Sequence, residues 1–231
     1  MSDDAGERFI DPRCTALLVI DMQNGFCHPD SRMEKSGVGV KHQQAIVPNV
    51  LSLIQQARSW KMPILWSQQV HFPEDVTRTR RRIPSHQAKQ RWTPCVRGTW
   101  EVDFIDEVIP AIDPQDYIVE KHRASMFFET TLDAKLRMLG IEEVIVCGTT
   151  TAFCVETTIR DAYYRDYDVI AVRDCIADPR PAFHEDTMRK VETFFGAVVT
   201  LEELPSFVME TGEGAAERPM VEALAAEAEV S

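Results

Sequence analysis

The chain has 231 residues, 44% of which are hydrophobic, and this length and composition allow one domain with a sizeable core. Its formal net charge of -12 at pH 7 argues against nucleic acids and anionic membranes as partners, because both are polyanions. Residues 1–11 are polar and acidic, unlike a signal peptide, and no apolar run approaches the length of a membrane span. We therefore expect a soluble protein of the cytoplasm.

The six cysteines are scattered along the chain. None belongs to a Cys-x-x-Cys pair or to a Cys/His spacing typical of zinc sites. We therefore expect reduced thiols, with neither a disulfide scaffold nor a structural metal.

The first strand is predicted at residues 15–20, a continuous apolar run typical of a parallel strand buried on both faces. Asp21 follows it directly and therefore lies at the edge where open parallel sheets bind their ligands. The alternative is a turn aspartate that bonds the following N–H groups. Apolar positions at helical spacing predict a helix within 42–61, and residues 64–69 are predicted as the second strand.

The stretch from Pro73 to Arg97 has no periodic pattern and is rich in basic side chains. These are Arg78, Arg80, Arg81, Arg82, Lys89, Arg91 and Arg97. Long connections without regular structure are usually functional or mobile. This stretch could be a solvated loop or a subunit contact, or a lid that brings positive charge over the strand ends.

A third strand is predicted at residues 116–120, after a short helical stretch that begins at Gly98-Thr99-Trp100. It ends at Lys121, which again faces the functional edge of the sheet, although a lysine in this position is often only a surface residue. A loop follows at 122–128. The next helix is predicted near 131–139, before Gly140, which is a natural helix terminator.

The fourth strand is predicted at residues 143–147, and a tight turn from Gly148 to Phe153 leads to Cys154 in the first turn of a helix. Free backbone N–H groups and the helix dipole favour a thiolate at a helix N-terminus, and the same N–H groups can hold an oxyanion. The alternative is a small buried cysteine without a chemical role.

The helix after Cys154 is predicted to run to about Tyr167, and three elements follow it. They are a strand at 168–173, a helix near 183–195 and a strand at 197–201. Six strands alternating with helices predict a three-layer α/β/α fold with a six-stranded, mostly parallel sheet, in one domain over residues 1–204. Residues 205–231 are rich in Ala and Glu and could form a weak helix, a partner-clasping arm or a disordered tail.

Asp21, Lys121 and Cys154 each follow a predicted parallel strand, so all three can converge at one edge of one sheet. Together they form a coherent catalytic set. The carboxylate can accept the thiol proton, and the ammonium can orient the carboxylate and favour the thiolate. The thiolate is then a strong nucleophile.

The motifs around these residues resemble the isochorismatase-like cysteine hydrolases, which include nicotinamidase, N-carbamoylsarcosine amidohydrolase, biuret hydrolase and ureidoacrylate amidohydrolase. The motifs are Leu-Val-Ile-Asp21-Met-Gln-Asn, Glu120-Lys121-His-Arg-Ala-Ser-Met-Phe127 and Val-Cys-Gly148-Thr-Thr-Thr-Ala-Phe-Cys154-Val-Glu-Thr-Thr-Ile-Arg-Asp161, and the resemblance covers about residues 13–204. It implies an isochorismatase-like fold and an Asp21-Lys121-Cys154 triad. It also implies a cis peptide bond between Thr149 and Thr150 and an oxyanion hole formed by the N–H groups of Thr150 and Cys154.

Two departures from the family pattern bear on the substrate. Nicotinamidases place an Asp-x-His metal pair after the second strand, where this chain has Gln69-Val70-His71. We therefore expect no metal and no cofactor. The isochorismatases proper cleave a vinyl ether and lack the cysteine, so Cys154 points to acyl transfer. Gly98-Thr-Trp100, Arg123 and Val191-Glu-Thr-Phe-Phe-Gly196 most resemble the ureidoacrylate and biuret type enzymes.

We therefore expect hydrolysis of a small carbamoyl or ureido amide through a thioester, with release of ammonia or a carbamate. Five residues are candidate substrate contacts: Asn24, Phe26, Gln68, Trp100 and Arg123. We expect a homo-oligomer, either a dimer or a tetramer, whose other partner is the small-molecule amide. The alternatives are a nicotinamidase-like or other small-amide hydrolase, and a non-catalytic binding protein of the same fold, since fold does not fix function.

Overall fold

Parallel strands form the centre of the molecule in the computed structural model, which describes residues 10–73 and 92–209. The strands are β1 (Thr15–Ile20), β2 (Ile64–Gln69), β3 (Tyr117–Lys121), β4 (Glu143–Thr149), β5 (Asp168–Ala177) and β6 (Ala197–Val199). They form one sheet in the order β3-β2-β1-β4-β5-β6, and every neighbouring pair is parallel. The predicted α/β fold with a six-stranded sheet is confirmed.

Helices cover the two faces of the sheet. They are α1 (Asn24–Cys27), α2 (Arg32–Lys35), α3 (Lys41–Ala45), α4 (Val47–Ser59), α5 (Leu132–Met138), α6 (Glu156–Tyr163) and α7 (Pro181–Phe194). Short 3-10 turns lie at Trp100–Val102, Ile109–Ala111 and Leu204–Phe207. None of the helices within the described residues combines the length and the apolar character needed to cross a membrane.

Strand β1 holds the two apolar cores together. All six of its residues are buried, and successive side chains point to opposite faces of the sheet. Leu17 and Val19 belong to the core beneath α4, whereas Leu18 and Ile20 belong to the core beneath α5, α6 and α7. The strand therefore contributes to the core on both faces of the sheet, and the residue that follows it lies at the middle of the sheet edge.

Several predicted boundaries differ from the structure. The helix expected within 42–61 is two helices that meet at Ile46, because Pro48 has no N–H and fits only the first turn of a new helix. The helical stretch expected after Gly98 consists instead of two separate 3-10 turns. Strand β5 continues to Ala177 because a register shift between Val146 and Gly148 lets it pair with β4 a second time.

The packed part of the chain extends beyond residue 204. Leu204 is buried in the core, and Val208 forms a parallel bridge with Ile10 near the start of the described residues. The first residues of the predicted tail thus pair with the start of the described chain. The rest of that tail, residues 210–231, lies outside the described residues.

Candidate active site

Three strand ends meet at one edge of the sheet. Asp21 follows β1, Lys121 ends β3, and Cys154 lies in the turn after β4. The Lys121 Nζ is 2.8 Å from Asp21 Oδ2 and 3.5 Å from Cys154 Sγ. The residues are 0%, 0% and 4% exposed, in that order along the chain. The structure therefore brings all three predicted catalytic residues into one buried cluster.

The carboxylate of Asp21 is held at both oxygens. Its backbone has a φ of 51°, a left-handed conformation that is costly for a residue other than glycine and is found mostly at functional sites. The Asp21 N–H donates to Ser67 Oγ at 3.0 Å, and that hydroxyl donates to Asp21 Oδ1 at 2.5 Å. Ser67 on β2 and Lys121 thus fix the position of the carboxylate from two sides.

The ammonium of Lys121 contacts four acceptors. Besides Asp21 and Cys154, these are Gln69 Oε1 at 2.8 Å and the backbone oxygen of Arg123 at 3.3 Å. Burial has the largest single effect and lowers the pKa of Lys121, but Asp21 and Cys154 together raise it by more, so the pKa lies above its ordinary value. The lysine therefore remains charged and can pair with both the carboxylate and the sulfur.

The turn that carries Cys154 differs from the predicted one. Strand β4 continues to Thr149, and the Thr149–Thr150 peptide bond is cis. Residues 151–155 then form a π-helical turn, and the α-helix begins only at Glu156. Cys154 thus lies in a helical turn directly ahead of α6, but this turn is π-helical and already begins at Thr151, so the predicted tight turn up to Phe153 is wrong. Likewise, this helix ends at Tyr163 and not near Tyr167.

Close packing against β1 fixes the start of this turn. Gly148 has a φ of +109°, and a Cβ at this position would lie 2.1 Å from the backbone oxygen of Ile20. Only glycine allows β4 to approach the residue before Asp21 so closely. On the far side, the N–H of Ala152 donates to Asp178 Oδ2 at 3.0 Å. The turn is thus held at both of its ends.

Burial raises the pKa of the Cys154 thiol to about 12, even though Lys121 lowers it and Asp21 raises it further. Desolvation thus outweighs the favourable contact with the ammonium, and it favours the protonated thiol before a substrate binds.

A cavity of about 300 Å³ opens beside the thiol. Cys154 and Thr150 line it together with Gln69, and apolar side chains form much of the remaining wall. Cavities of this size are at the lower end of the range for small-ligand sites, about 300–1,000 Å³. The cluster of three residues therefore faces a space in which a small molecule can bind.

The five predicted substrate contacts occupy different places. Phe26 lines the cavity. Asn24, Gln68 and Arg123 each donate a side-chain N–H to a backbone oxygen. Trp100 is 44% exposed and packs edge-on against a histidine ring. The structure thus places Phe26 in the cavity wall and the other four outside it.

Gln69 is the site residue that the sequence did not indicate. Alternate residues of a strand point to opposite faces, so Ser67 and Gln69 of β2 share one face and Gln68 lies on the other. Gln69 is also the register partner of Lys121 on β3. Its Nε2 is buried and has no hydrogen-bond partner among the described residues. Strand alternation counted from the active-site edge could have indicated Gln69 in place of Gln68.

The basic stretch is represented in the described residues by Arg97 alone. Its guanidinium pairs with Glu120 and lies 4.9 Å from the centre of the Phe72 ring. The other six basic residues lie between 78 and 91, outside the described residues, and so does the proposed lid. In the parts of the chain that the structure describes, no three His, Cys, Asp or Glu side chains are grouped as metal ligands.

Comparison with known proteins places this site among hydrolases. A model of the isochorismatase domain matches residues 15–203. A cysteine hydrolase from Pseudomonas syringae pv. phaseolicola is 30% identical over 84% of this chain and 92% of that protein, with a TM-score of 0.73. N-carbamoylsarcosine amidase from Thermoplasma acidophilum is 27% identical over 82% and 97% of the two chains, with a TM-score of 0.67. A pyrazinamidase/nicotinamidase from Streptococcus mutans shares the fold, at 22% identity over 80% and 99% and a TM-score of 0.70.

Proposed function

Because the chain belongs to the isochorismatase-like family of hydrolases, we propose that it hydrolyses the amide bond of a small carbamoyl or ureido compound. The observation that supports this most directly is the Cys154 thiol beside the cavity, 3.5 Å from the Lys121 ammonium that holds Asp21 at 2.8 Å. A nucleophile, a base and a fixed positive charge are the groups that acyl transfer requires.

In the first step, the sulfur of Cys154 attacks the carbonyl carbon while Asp21 accepts the thiol proton. The two events are coupled, because the high pKa of the thiol disfavours a free thiolate. The carbonyl oxygen becomes negative as the carbon–sulfur bond forms. The N–H groups of Thr150 and Cys154 are the proposed donors to that oxygen, each contributing about 2.7–4 kcal/mol in the transition state.

In the second step, the carbon–nitrogen bond breaks and Asp21 returns its proton to the leaving nitrogen, which departs as ammonia. A water molecule then attacks the thioester, and Asp21 accepts a proton from that water. The carbon–sulfur bond breaks, and the thiol of Cys154 recovers its proton. For a substrate R–NH–CO–NH2 and one water, the products are the carbamate R–NH–COO⁻ and ammonia, which takes up the remaining proton as ammonium. Lys121 keeps its charge throughout and stabilises the carboxylate between proton transfers.

Gln69 is held in place beside the reacting centre. Its Oε1 accepts from Lys121, which fixes the orientation of the amide group. The Nε2 has no partner among the described residues, and a buried donor without an acceptor costs about 1–3 kcal/mol. Gln69 lines the cavity. Its amide group therefore belongs to the part of the wall that surrounds the reacting end of the substrate.

The test is ammonia release from a panel that contains biuret, triuret, ureidoacrylate, N-carbamoylsarcosine and nicotinamide, before and after treatment with EDTA. We expect turnover of a carbamoyl or ureido compound that survives chelation, and no turnover by Cys154→Ala. Cys147→Ala is the matched control, since Cys147 is buried in the core and does not line the cavity. A clear preference for nicotinamide, or activity that depends on added zinc or iron, would contradict the proposal.

A further inference from the structure

The wall of the catalytic cavity is more apolar than a small polar ureide requires. Six of its side chains are large and apolar or aromatic, and they come from four separate parts of the chain: Phe26, Met33, Val38, Trp92, Phe153 and Phe183. Phe153 is 42% exposed and Phe183 46% exposed, although both are large apolar side chains. An apolar group that covered these two rings would remove them from water, which is favourable.

The two charged side chains that line the wall, Asp178 and Arg180, contact neighbouring residues of the same wall. Both oxygens of Asp178 accept backbone N–H groups, one from Arg180 at 3.0 Å and one from Ala152 at 3.0 Å. The exposed guanidinium of Arg180 lies 4.9 Å from the centre of the Phe183 ring. Besides these two, the polar side chains that line the described part of the wall are Gln69, His71 and Thr150, and most of the remaining lining side chains are apolar.

The volume of the cavity is consistent with a substrate that has an apolar group in addition to its reacting end. Its volume is about 300 Å³, and a water molecule takes about 30 Å³ in the liquid, so it offers room for roughly ten waters. Biuret would leave much of this space unfilled and the aromatic rings still exposed. A substrate with a butyl or phenyl group beside the reacting carbonyl would occupy more of this space and cover more of the rings.

We infer that the substrate carries an apolar alkyl or aryl substituent next to its carbamoyl or ureido group. This inference rests on the proposed function and narrows it. The thiol, Gln69 and the turn after β4 bind the reacting end, and the wall formed by Phe26, Phe153 and Phe183 binds the substituent. Discrimination between substrates then comes from the hydrophobic wall, at about fourfold per buried methylene.

The experiment uses one series of ureas, R–NH–CO–NH2, in which R is carbamoyl (biuret), carboxymethyl, methyl, butyl or phenyl. The reacting group is constant, and ammonia release gives kcat/KM for each. We expect kcat/KM to rise on the order of 50-fold from methyl to butyl, for three additional buried methylenes. Butyl and phenyl should also exceed biuret and the carboxymethyl compound. A preference for biuret or for the carboxymethyl compound would overturn the inference and leave the proposed function standing.

Two variants on α7 locate the effect. Phe183→Ala should lower kcat/KM for the butyl compound at least about fivefold more than for the methyl compound, because the removed ring contacts only the longer substituent. Phe194→Ala is the matched control, since Phe194 lies at the other end of the same helix, is 64% exposed and does not line the cavity. Equal losses for both compounds in Phe183→Ala would contradict the inference.

Binding separates the two proposals if turnover is absent. If none of the ureas released ammonia, the proposed amide hydrolysis would be contradicted. The dissociation constants of the same ureas for Cys154→Ala, measured by calorimetry, would then still test the cavity wall. Equal affinity for the methyl and butyl compounds would overturn the inference, and tighter binding of the butyl compound would support it.

Discussion

Breaking the buried ion pair between Asp21 and Lys121 should destabilise the protein more than removing both of its charges. Both side chains are at most 1% exposed, and the two atoms that pair are 2.8 Å apart. Removing one partner of such a pair leaves an uncompensated buried charge, which typically costs about 3–5 kcal/mol. Replacing both charges removes this penalty.

Lys121→Met keeps the length of the side chain but leaves the Asp21 carboxylate without its counter-charge. The variant also removes the donor to Gln69 Oε1, which costs roughly a further 1–3 kcal/mol. Asp21→Asn leaves the ammonium buried instead, with a cost of about 3–5 kcal/mol. The variant with both substitutions should lose the lysine's contacts with Gln69, Cys154 and the backbone oxygen of Arg123 but bury no unpaired charge, so we expect it to be about 1–3 kcal/mol less stable than the wild type.

Urea unfolding followed by tryptophan fluorescence gives the free energy of unfolding of all four proteins, because Trp66 on β2 is fully buried. The expected coupling between the two sites exceeds about 3 kcal/mol, so the double variant is more stable than either single one. All three variants should retain less than about a tenth of the wild-type kcat, which corresponds to more than about 1.4 kcal/mol of barrier. If Lys121→Met were within about 1 kcal/mol of the wild type, or the losses simply added, the ion pair would not carry this energy.

Three further outcomes follow from the geometry of the cluster. Iodoacetamide should alkylate Cys154 before the other cysteines. The rate should rise about tenfold per pH unit from pH 7 to 9, because the thiolate fraction rises in this way below a pKa of about 12. A rate that stays constant in this range would indicate a resting thiolate. Ser67→Ala should lower kcat roughly 10- to 100-fold by removing the donor to Asp21 Oδ1, with a loss of about 1–3 kcal/mol in stability, whereas exposed Ser59→Ala should change neither. Exhaustive chelation should leave ammonia release unchanged, as assayed with and without added zinc.

The sequence located the strands and the catalytic cluster because both depend on local patterns. Strands β1 and β2 have the predicted limits, because β1 is an apolar run that stops before Asp21 and Pro63 separates β2 from the preceding helix. Asp21, Lys121 and Cys154 follow strands, and parallel strands bring their carboxyl ends to one edge. The positions of these residues therefore follow from the order of elements alone.

The remaining features depend on how the elements pack. Strand alternation separates Gln68 from Gln69, but only the pairing of β2 with β3 shows that Gln69 stands beside Lys121. The π-helical turn before α6 depends on contacts with Ile20 and Asp178, which are distant in sequence. The raised pKa of Cys154 follows from complete burial and could not be judged from a cysteine near a helix start.

Burial of the thiol has two opposite effects on the proposed reaction. It disfavours a free thiolate in the resting protein, as the pKa of Cys154 shows. The same low dielectric strengthens the attraction of Lys121 and the turn N–H groups for charge that develops on the substrate. Negative charge is therefore costly before the substrate binds and compensated once the carbon–sulfur bond begins to form. Because catalysis depends on stabilising the transition state more than the ground state, a protonated resting thiol beside a preformed ion pair is compatible with fast acyl transfer.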